Sequence, residues 1–166
     1  MRREVVDTNV PMVANEEAPQ AGPRCVAVCA ERLYELTRGN AVLVLDTGWK
    51  IINEYRANIP AGSLDRPGDE FLVWVLDNWA NPARCELVTL TAAEGRGGFA
   101  EFPADPELAD FDLNDRKFVA VACAHPGRPP ILEAVDAGWW QAREALRRNG
   151  VTVEFLCEDD IRRLAE

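Results

Sequence analysis

The sequence predicts an α/β fold of three layers, with helices on both faces of a central, mostly parallel sheet. Strand-like and helix-like segments alternate along almost the whole chain of 166 residues, a pattern typical of crossover connections between parallel strands. The segment from Ala41 to Asp46, AVLVLD, is a continuous apolar run, as expected for a strand covered on both faces. A chain of this length fits one core, so residues 1–166 are expected to form a single domain.

The first half of the chain contains two predicted strands and three predicted helices. The first strand stops at Asp7 in VVDTNV, and Pro11 prevents further strand pairing. A polar loop over 15–24 follows, because this stretch is rich in Pro and Gly. Apolar residues then recur at helical spacing in three segments. The predicted helices cover Cys25–Arg38, Trp49–Ile59 and Asp69–Trp79.

The second half of the chain repeats the alternation after an irregular segment. The alternating run Cys85–Thr91 predicts a half-exposed strand. Residues 92–113, rich in Gly, Pro and acids, predict a surface loop or a flap. Asn114 and Asp115 are suitable N-cap residues for a helix that ends at Ala124. The remaining predicted elements are a strand over Ile131–Asp136, a helix over Trp139–Arg148, a strand over 151–156 and a helix over Glu158–Ala165.

Charge and hydropathy limit the classes of function. The longest apolar stretch, Phe118–Ala124, is far too short to span a membrane, and the N-terminal sequence does not resemble a signal peptide, so a cytoplasmic protein without a membrane partner is expected. The chain has 28 acidic and 18 basic residues and a formal net charge of -10. That balance argues against direct phosphate binding. It is compatible with nucleic acid if some of the acids hold a metal ion.

Cysteine and histidine usage narrows the chemistry. The five cysteines form no C-x-x-C pair, and their mainly apolar neighbours indicate buried, unpaired thiols in a reducing compartment. The single histidine, His125, lies in a Pro/Gly-rich loop. If the chain is an enzyme, its acids and bases are therefore expected to be carboxyl groups.

Acidic residues recur where the predicted strands end. Asp7, Asp46 and Asp136 end strands, Asp115 opens a helix, and Glu54 lies among apolar residues of another helix. Carboxyl ends of parallel strands meet at one edge of a sheet, and grouped carboxylates are the ligands that Mg²⁺ and Mn²⁺ prefer. Each acid alone also has a structural interpretation. For Asp46, which Thr-Gly follows, a turn is favoured; Asp115 suits an N-cap, and Glu54 suits a solvated helix face.

Four motifs together resemble the PIN-domain ribonucleases. In chain order they are VVDTNV, IINEYR, NDRKFVAVACA and ILEAVDAGW, and the resemblance spans Val5–Leu156. It implies a PIN-like fold in which Asp7, Glu54, Asp115 and Asp136 hold one or two Mg²⁺ or Mn²⁺ ions. It also implies that Thr8 and Asn9 orient Asp7, with Asp112 as an additional acid nearby.

The resemblance implies a metal-dependent endoribonuclease, a hydrolase in which the cation activates water against a phosphodiester bond of RNA. Arg56, Arg116 and Lys117 are the basic residues placed to contact phosphate. The family context adds a toxin-like or defence-associated role, a protein inhibitor or antitoxin, and a homodimer. The alternative is a catalytically silent PIN-like domain that serves as an RNA- or protein-binding scaffold.

Overall fold

The computed structural model describes residues 1–60, 65–94 and 98–166. The strands in these residues are β1 (Arg2–Val6), β2 (Ala41–Asp46), β3 (Cys85–Val88), β4 (Ala92–Ala93), β5 (Gly98–Phe99), β6 (Ile131–Glu133) and β7 (Val153–Phe155). Five of them form one sheet in the order β3-β2-β1-β6-β7, and every pairing in it is parallel. The first strand of the chain is therefore the central strand of the sheet.

Helices flank this sheet and complete the predicted three-layer α/β/α arrangement, so the predicted fold class is confirmed. They are α1 (Asn9–Ala14), α2 (Pro23–Glu35), α3 (Lys50–Asn58), α4 (Pro67–Asn78), α5 (Arg116–Ala124), α6 (Ala137–Arg148) and α7 (Glu158–Leu164). A π-helical turn (Leu36–Asn40) follows α2, and a 3₁₀ turn (Pro106–Leu108) precedes α5. Over the described ranges, none of these helices has both the length and the apolar character needed to cross a membrane.

Several segments differ from the sequence prediction, among them the strand predicted over Cys85–Thr91, which ends at Val88. Residues 9–14 form α1, where the sequence predicted no element between the strand that stops at Asp7 and the loop over 15–24. The strand predicted over Ile131–Asp136 ends at Glu133, and Asp136 lies at the N-cap of α6 instead. The segment predicted as a loop or flap over 92–113 contains the antiparallel pair β4 and β5 and the 3₁₀ turn; residues 95–97 of this segment lie outside the described residues.

The register of β1 brings distant parts of the chain to one edge of the sheet. Val5 pairs with Ile131 of β6, and Glu4 pairs with Leu43 of β2. All five strands point the same way, so the residues that follow β1, β2 and β6 emerge at the same edge. This edge carries the acidic residues that the sequence singled out.

Tyr55 fixes α3 against this edge. Its buried hydroxyl donates a 2.5 Å hydrogen bond to the carbonyl of Val6, the last residue of β1. Its ring contacts Phe71 of α4 and Phe118 of α5 edge-on or tilted, with centroids 5.3 and 6.5 Å away. Because Glu54 is the preceding residue, these contacts place its side chain beside the end of β1.

Asn15 joins α1 to the start of α4. Its side-chain oxygen accepts a 2.7 Å bond from the N–H of Gly68, and its amide nitrogen donates to Asp69 at 2.9 Å. Both bonds are buried. The short helix α1 is therefore stabilised by tertiary contacts, since six residues are too few for a stable isolated helix.

A disulfide corrects the expectation that all the cysteines are unpaired thiols. Cys25 in α2 is bonded to Cys157, which immediately precedes α7. The remaining cysteines, Cys29, Cys85 and Cys123, are free. Pairing across 132 residues depends on tertiary structure, and neither spacing nor composition indicates it.

Candidate functional site

Asp7 lies directly after β1 at the carboxyl edge of the sheet. Its side chain is only 3% exposed, and Oδ2 accepts a 3.2 Å bond from the backbone N–H of Asn9. Burial raises the pKa of Asp7 to about 6, while a hydrogen bond with Glu133 acts in the opposite direction. The charges of Asp136 and Glu54 add to the increase. Asp7 therefore lies within electrostatic reach of two of the other predicted site acids.

Asp115 is the second predicted acid that the fold brings to this edge. It occupies the N-cap position of α5 but makes no side-chain capping bond, so the N-cap interpretation does not account for its carboxyl group. Its pKa is raised to about 8. Burial is the largest cause, and the charges of Asp7 and Asp136 are the next largest. The carboxyl group of Asp115 thus faces a site that disfavours further negative charge.

Glu54 points towards the site and pairs with Lys117. The carboxylate Oε1 lies 3.1 Å from Lys117 Nζ, and both side chains are less than one-fifth exposed. The same ammonium group donates to the carbonyl of Asn114 at 2.6 Å. The interpretation of Glu54 as a solvated helix residue is therefore wrong. Lys117 places a cation inside the acidic cluster instead of on an open surface.

Asp136 begins α6 beside the same cluster. Its Oδ1 accepts a 2.8 Å bond from the N–H of Gly138, and its own N–H donates to Glu133 Oε1 at 3.1 Å. One Asp136 oxygen therefore caps the helix. The charge of Asp136 contributes to the raised pKa values of Asp7 and Asp115.

Glu133 is a fifth acid at the site that the sequence analysis missed. It is the last residue of β6 and is fully buried. Burial raises its pKa well above the ordinary value, and the charge of Asp7 and a hydrogen bond with it act in the same direction. A protonated Glu133 that donates a hydrogen bond to Asp7 agrees with both effects of this bond, because the bond raises the pKa of Glu133 and lowers that of Asp7. The one acid within the apolar run ILEAV could have indicated Glu133. The predicted strand extends to Asp136, so the pattern indicates Asp136 and not Glu133 as the acid at its end.

Asn9 and Thr8 are both close to Asp7. Besides its backbone bond to Asp7, Asn9 uses its side-chain Oδ1 to accept a 2.8 Å bond from the N–H of Val135. This bond ties the end of β1 to the residue before Asp136. Thr8 is buried, and its hydroxyl finds no hydrogen-bond partner in the part of the chain that the structure describes. A buried hydroxyl beside Asp7 is thus available to a group that the chain itself does not provide.

Asp46 and Asp112 have local structural roles. The turn favoured for Asp46 lies at Thr47 and Gly48. The Asp46 carboxylate also accepts bonds from the backbone N–H groups of Lys50 and Ile51, each 2.9 Å long, and so caps the start of α3. Asp112 accepts a 2.8 Å bond from the N–H of Asn114 in a turn before α5. Its charge also raises the pKa of Asp115. Asp112 therefore lies within electrostatic reach of Asp115.

An acidic cavity of about 270 Å³ opens at the site. Five acids, an aromatic ring and the start of α6 line it: Glu107, Asp110, Phe111, Asp112, Asp115, Asp136, Gly138, Gln141 and Ala142. A phosphate group entering this cavity would meet negative charge. Binding of an anion there therefore requires a cation.

Arg116 and Arg56, which were predicted to contact phosphate, are not well placed to do so. Arg116 is 7% exposed, and its guanidinium donates to the carbonyls of Leu108, Ala109 and Phe111 while lying 4.7 Å from the centre of the Phe102 ring. It supports the loop that borders the cavity. Arg56 is exposed on α3 but lies two residues after Glu54, on the opposite side of the helix.

The carboxylate oxygens of the site lie farther apart than the ligands of a metal ion that is bound by protein groups alone. Within residues 1–60, 65–94 and 98–166, no three of them place one oxygen each within 4.8 Å of one another; the only cluster this tight is that of Cys25, Cys29 and Cys157. Mg²⁺ keeps several waters and uses only one or two carboxylates directly in many enzymes. A divalent ion at this edge would therefore be held directly by one or two of the carboxylates and otherwise by water.

Comparison of the chain with protein-family models, with curated proteins and with solved structures finds no match.

Proposed function

We propose that this chain is a divalent-metal-dependent endoribonuclease of PIN-like architecture that hydrolyses phosphodiester bonds of cytoplasmic RNA. The observation that carries the proposal is the position of Asp7, Asp115, Asp136 and Glu54 at one edge of a parallel sheet, within electrostatic reach of Asp7 and Asp115. Burial raises the pKa values of Asp7 and Asp115, and the charges of Asp136 and Glu54 raise them further. A bound cation would favour the ionised form of both carboxyl groups.

Asp7, Glu54, Asp115 and Asp136 are the residues that would hold Mg²⁺ or Mn²⁺. When bound, a divalent ion lowers the pKa of water and stabilises negative charge on a phosphodiester. Asn9 keeps Asp7 and the segment before Asp136 in fixed relation through its two hydrogen bonds. Tyr55 fixes Glu54 against β1.

Lys117 has a specific part in this proposal. Its ammonium group neutralises Glu54 at the edge of the cluster. A cation bound by Glu54 would compete for this carboxylate and release Lys117 towards a phosphate of the substrate. Lys117 is thus the best placed of the three basic residues that the sequence proposed for substrate binding.

The test is cleavage of labelled single-stranded RNA and DNA by the purified protein with Mg²⁺, Mn²⁺ or EDTA. Asp7→Asn is the inactivating variant, and Asp77→Asn, an exposed acid on α4, is the matched control. We expect RNA cleavage that needs the metal, is lost in Asp7→Asn and is retained in Asp77→Asn. Cleavage in EDTA, or equal activity of both variants, would contradict the proposal.

The Lys117–Glu54 ion pair also favours the alternative of a silent PIN-like scaffold, because it satisfies one site acid without a metal. In that case the wild-type protein cleaves no substrate, and RNA or a protein partner binds equally well with EDTA. A toxin-like role, an antitoxin and a homodimer belong to the proposal by resemblance. Co-purification and the oligomeric state in solution would test them.

A further inference from the structure

Three cysteines from two distant segments form a buried cluster away from the acidic site. Cys25 and Cys29 lie one turn apart on α2, and Cys157 immediately precedes α7. Their sulfur atoms all lie within 4.8 Å of one another. Cys25 and Cys157 are bonded, and the free Sγ of Cys29 is 3.9 Å from Sγ of Cys157. The third thiol therefore lies next to an existing disulfide.

The surroundings keep these three sulfurs together. All three side chains are at least 94% buried, since their exposed fractions are 3%, 0% and 6% for Cys25, Cys29 and Cys157. Asp160 in α7 accepts a 2.7 Å hydrogen bond from the N–H of Gly22, just before α2. This bond holds the start of α7 against the start of α2 independently of the disulfide. A change of sulfur partner thus needs no separation of the two segments.

We propose that Cys25, Cys29 and Cys157 form a thiol–disulfide exchange centre in which Cys157 is the shared sulfur and Cys25 and Cys29 are its alternative partners. The inference does not depend on the proposed nuclease function. A purely structural disulfide requires two cysteines. Cys29 is a third cysteine within contact distance of the Cys157 sulfur, so Cys157 has a second possible disulfide partner.

The exchange step is internally balanced. Burial and the charge of Asp160 raise the pKa of Cys29 to about 12, so little thiolate is present near neutral pH and the exchange is slow. Cys29 loses its proton, its side chain rotates into line with the bond between Cys157 and Cys25, and its sulfur attacks Sγ of Cys157. The bond between Cys157 and Cys25 breaks, and its electron pair stays on Cys25, which takes up a proton. One disulfide and one thiol are present before and after, so no external oxidant or reductant takes part.

Exchange changes which sulfur is available to the outside. The covalent tie moves four residues along α2, about 6 Å along the helix axis. The released thiol is that of Cys25, which together with Cys157 lines a cavity of about 240 Å³, whereas Cys29 does not line it. After exchange the free thiol of the cluster therefore borders a cavity that small-molecule thiols and disulfides could enter.

The first test removes one partner at a time. Reduced Cys25→Ser, Cys29→Ser and Cys157→Ser proteins are incubated with oxidised glutathione, which accepts two electrons as a protein disulfide forms, and their disulfides are mapped by mass spectrometry of peptides. We expect Cys25→Ser to form a Cys29–Cys157 bond and Cys29→Ser to re-form the Cys25–Cys157 bond. Cys157→Ser is expected to leave Cys25 and Cys29 unbonded to each other, as the role of Cys157 as the shared sulfur requires.

Cys25→Ser protein that keeps Cys29 and Cys157 as free thiols would overturn the proposal, provided that its reduced form melts like the reduced wild type. The wild type supplies a second measurement that does not depend on a variant. After long incubation at mildly alkaline pH it is quenched in acid, where exchange stops, then unfolded and labelled with a maleimide. Cys85 and Cys123 are free and are labelled in either case. Within the cluster, label on Cys25 as well as Cys29 is expected; label on Cys29 but not on Cys25 would overturn the proposal.

Discussion

The Asp115 carboxyl group is surrounded by like charges, and this makes its effect on stability testable. Replacing it with asparagine removes one charge from the metal-free cluster and keeps the shape of the side chain. We expect Asp115→Asn to raise the free energy of unfolding in EDTA at pH 8–9 by roughly 1–2 kcal/mol, the usual size of a single-residue effect. The stabilisation by Mg²⁺ or Mn²⁺ should shrink in the same variant. Urea unfolding with and without metal measures both.

The control for this prediction is Asp77→Asn, whose acid is exposed on α4. Its free energy of unfolding is expected to change by less than about 0.5 kcal/mol, both in EDTA and with metal. If Asp115→Asn were less stable than the wild type in EDTA, the repulsion inferred for the cluster would be absent.

Arg116 has a structural role that differs from the role predicted for it. Its guanidinium satisfies three backbone carbonyls of the loop before α5. Arg116→Met should lower the free energy of unfolding by about 2–4 kcal/mol, because it leaves buried carbonyls without donors. Arg56→Met, at an exposed arginine, is the matched comparison and should cost little. Equal melting temperatures for the two variants would show that the Arg116 bonds contribute nothing.

At the scale of elements, the contact between α1 and α4 depends on a residue without a side chain. A Cβ on Gly68 would lie 2.4 Å from the carbonyl oxygen of Pro11 and 2.8 Å from the Asn15 side chain. Gly68→Ala should therefore destabilise the protein by about 2 kcal/mol or more, since the closest atom belongs to the backbone. Gly48→Ala, where the nearest atom is 3.4 Å from the added Cβ, should be much milder. Thermal melts of the two variants distinguish them.

Elements with strong local signals could be predicted from the sequence. The apolar run AVLVLD became β2 with the predicted bounds, and the Thr-Gly that follows Asp46 forms the predicted turn. The strand-end position of Asp7 followed from the same pattern. These features depend on residues close together in the chain, where periodicity and capping preferences act.

Features that depend on distant partners could not be predicted. Strand β6 ends at Glu133, and the N–H of Val135 two residues later bonds to the side chain of Asn9. Arg116 is buried by a loop whose path the sequence does not specify. The pairing of Cys25 with Cys157 requires α2 and α7 to meet. In each case the deciding contact joins segments whose relative position only the tertiary structure sets.

At the scale of the whole molecule, stability without metal should fall as the pH rises. The pKa of Asp7 is raised from 3.8 to about 6 and that of Asp115 from 3.8 to about 8. Between about pH 4 and pH 8 the folded state therefore binds more protons than the unfolded chain, and its stability decreases with increasing pH. Urea unfolding in EDTA at pH 5, 6.5 and 8 should show this decrease.

With saturating Mg²⁺ or Mn²⁺, the free energy of unfolding should fall less between pH 5 and pH 8 than it does in EDTA. The reason is that metal ligands bind the ion in their deprotonated form. Carboxylates with lowered pKa values, such as Glu86 and Asp105, lose their contribution only as the pH falls below about 4.5. They therefore do not obscure the trend in this window. A stability that rose from pH 5 to pH 8 in EDTA would contradict the raised pKa values.

The central position of β1 determines when the candidate site can form during synthesis. The ribosome makes β1 before β6, so Val5 finds its partner Ile131 only after the residues between them have been made. Contacts between such distant residues form late in folding. Asp7 leaves the ribosome before Glu133 and Asp136, which can join it only once β6 and the start of α6 have emerged. A nascent chain that ends before these residues therefore carries no complete acidic site, and any activity of this site begins only after they are made.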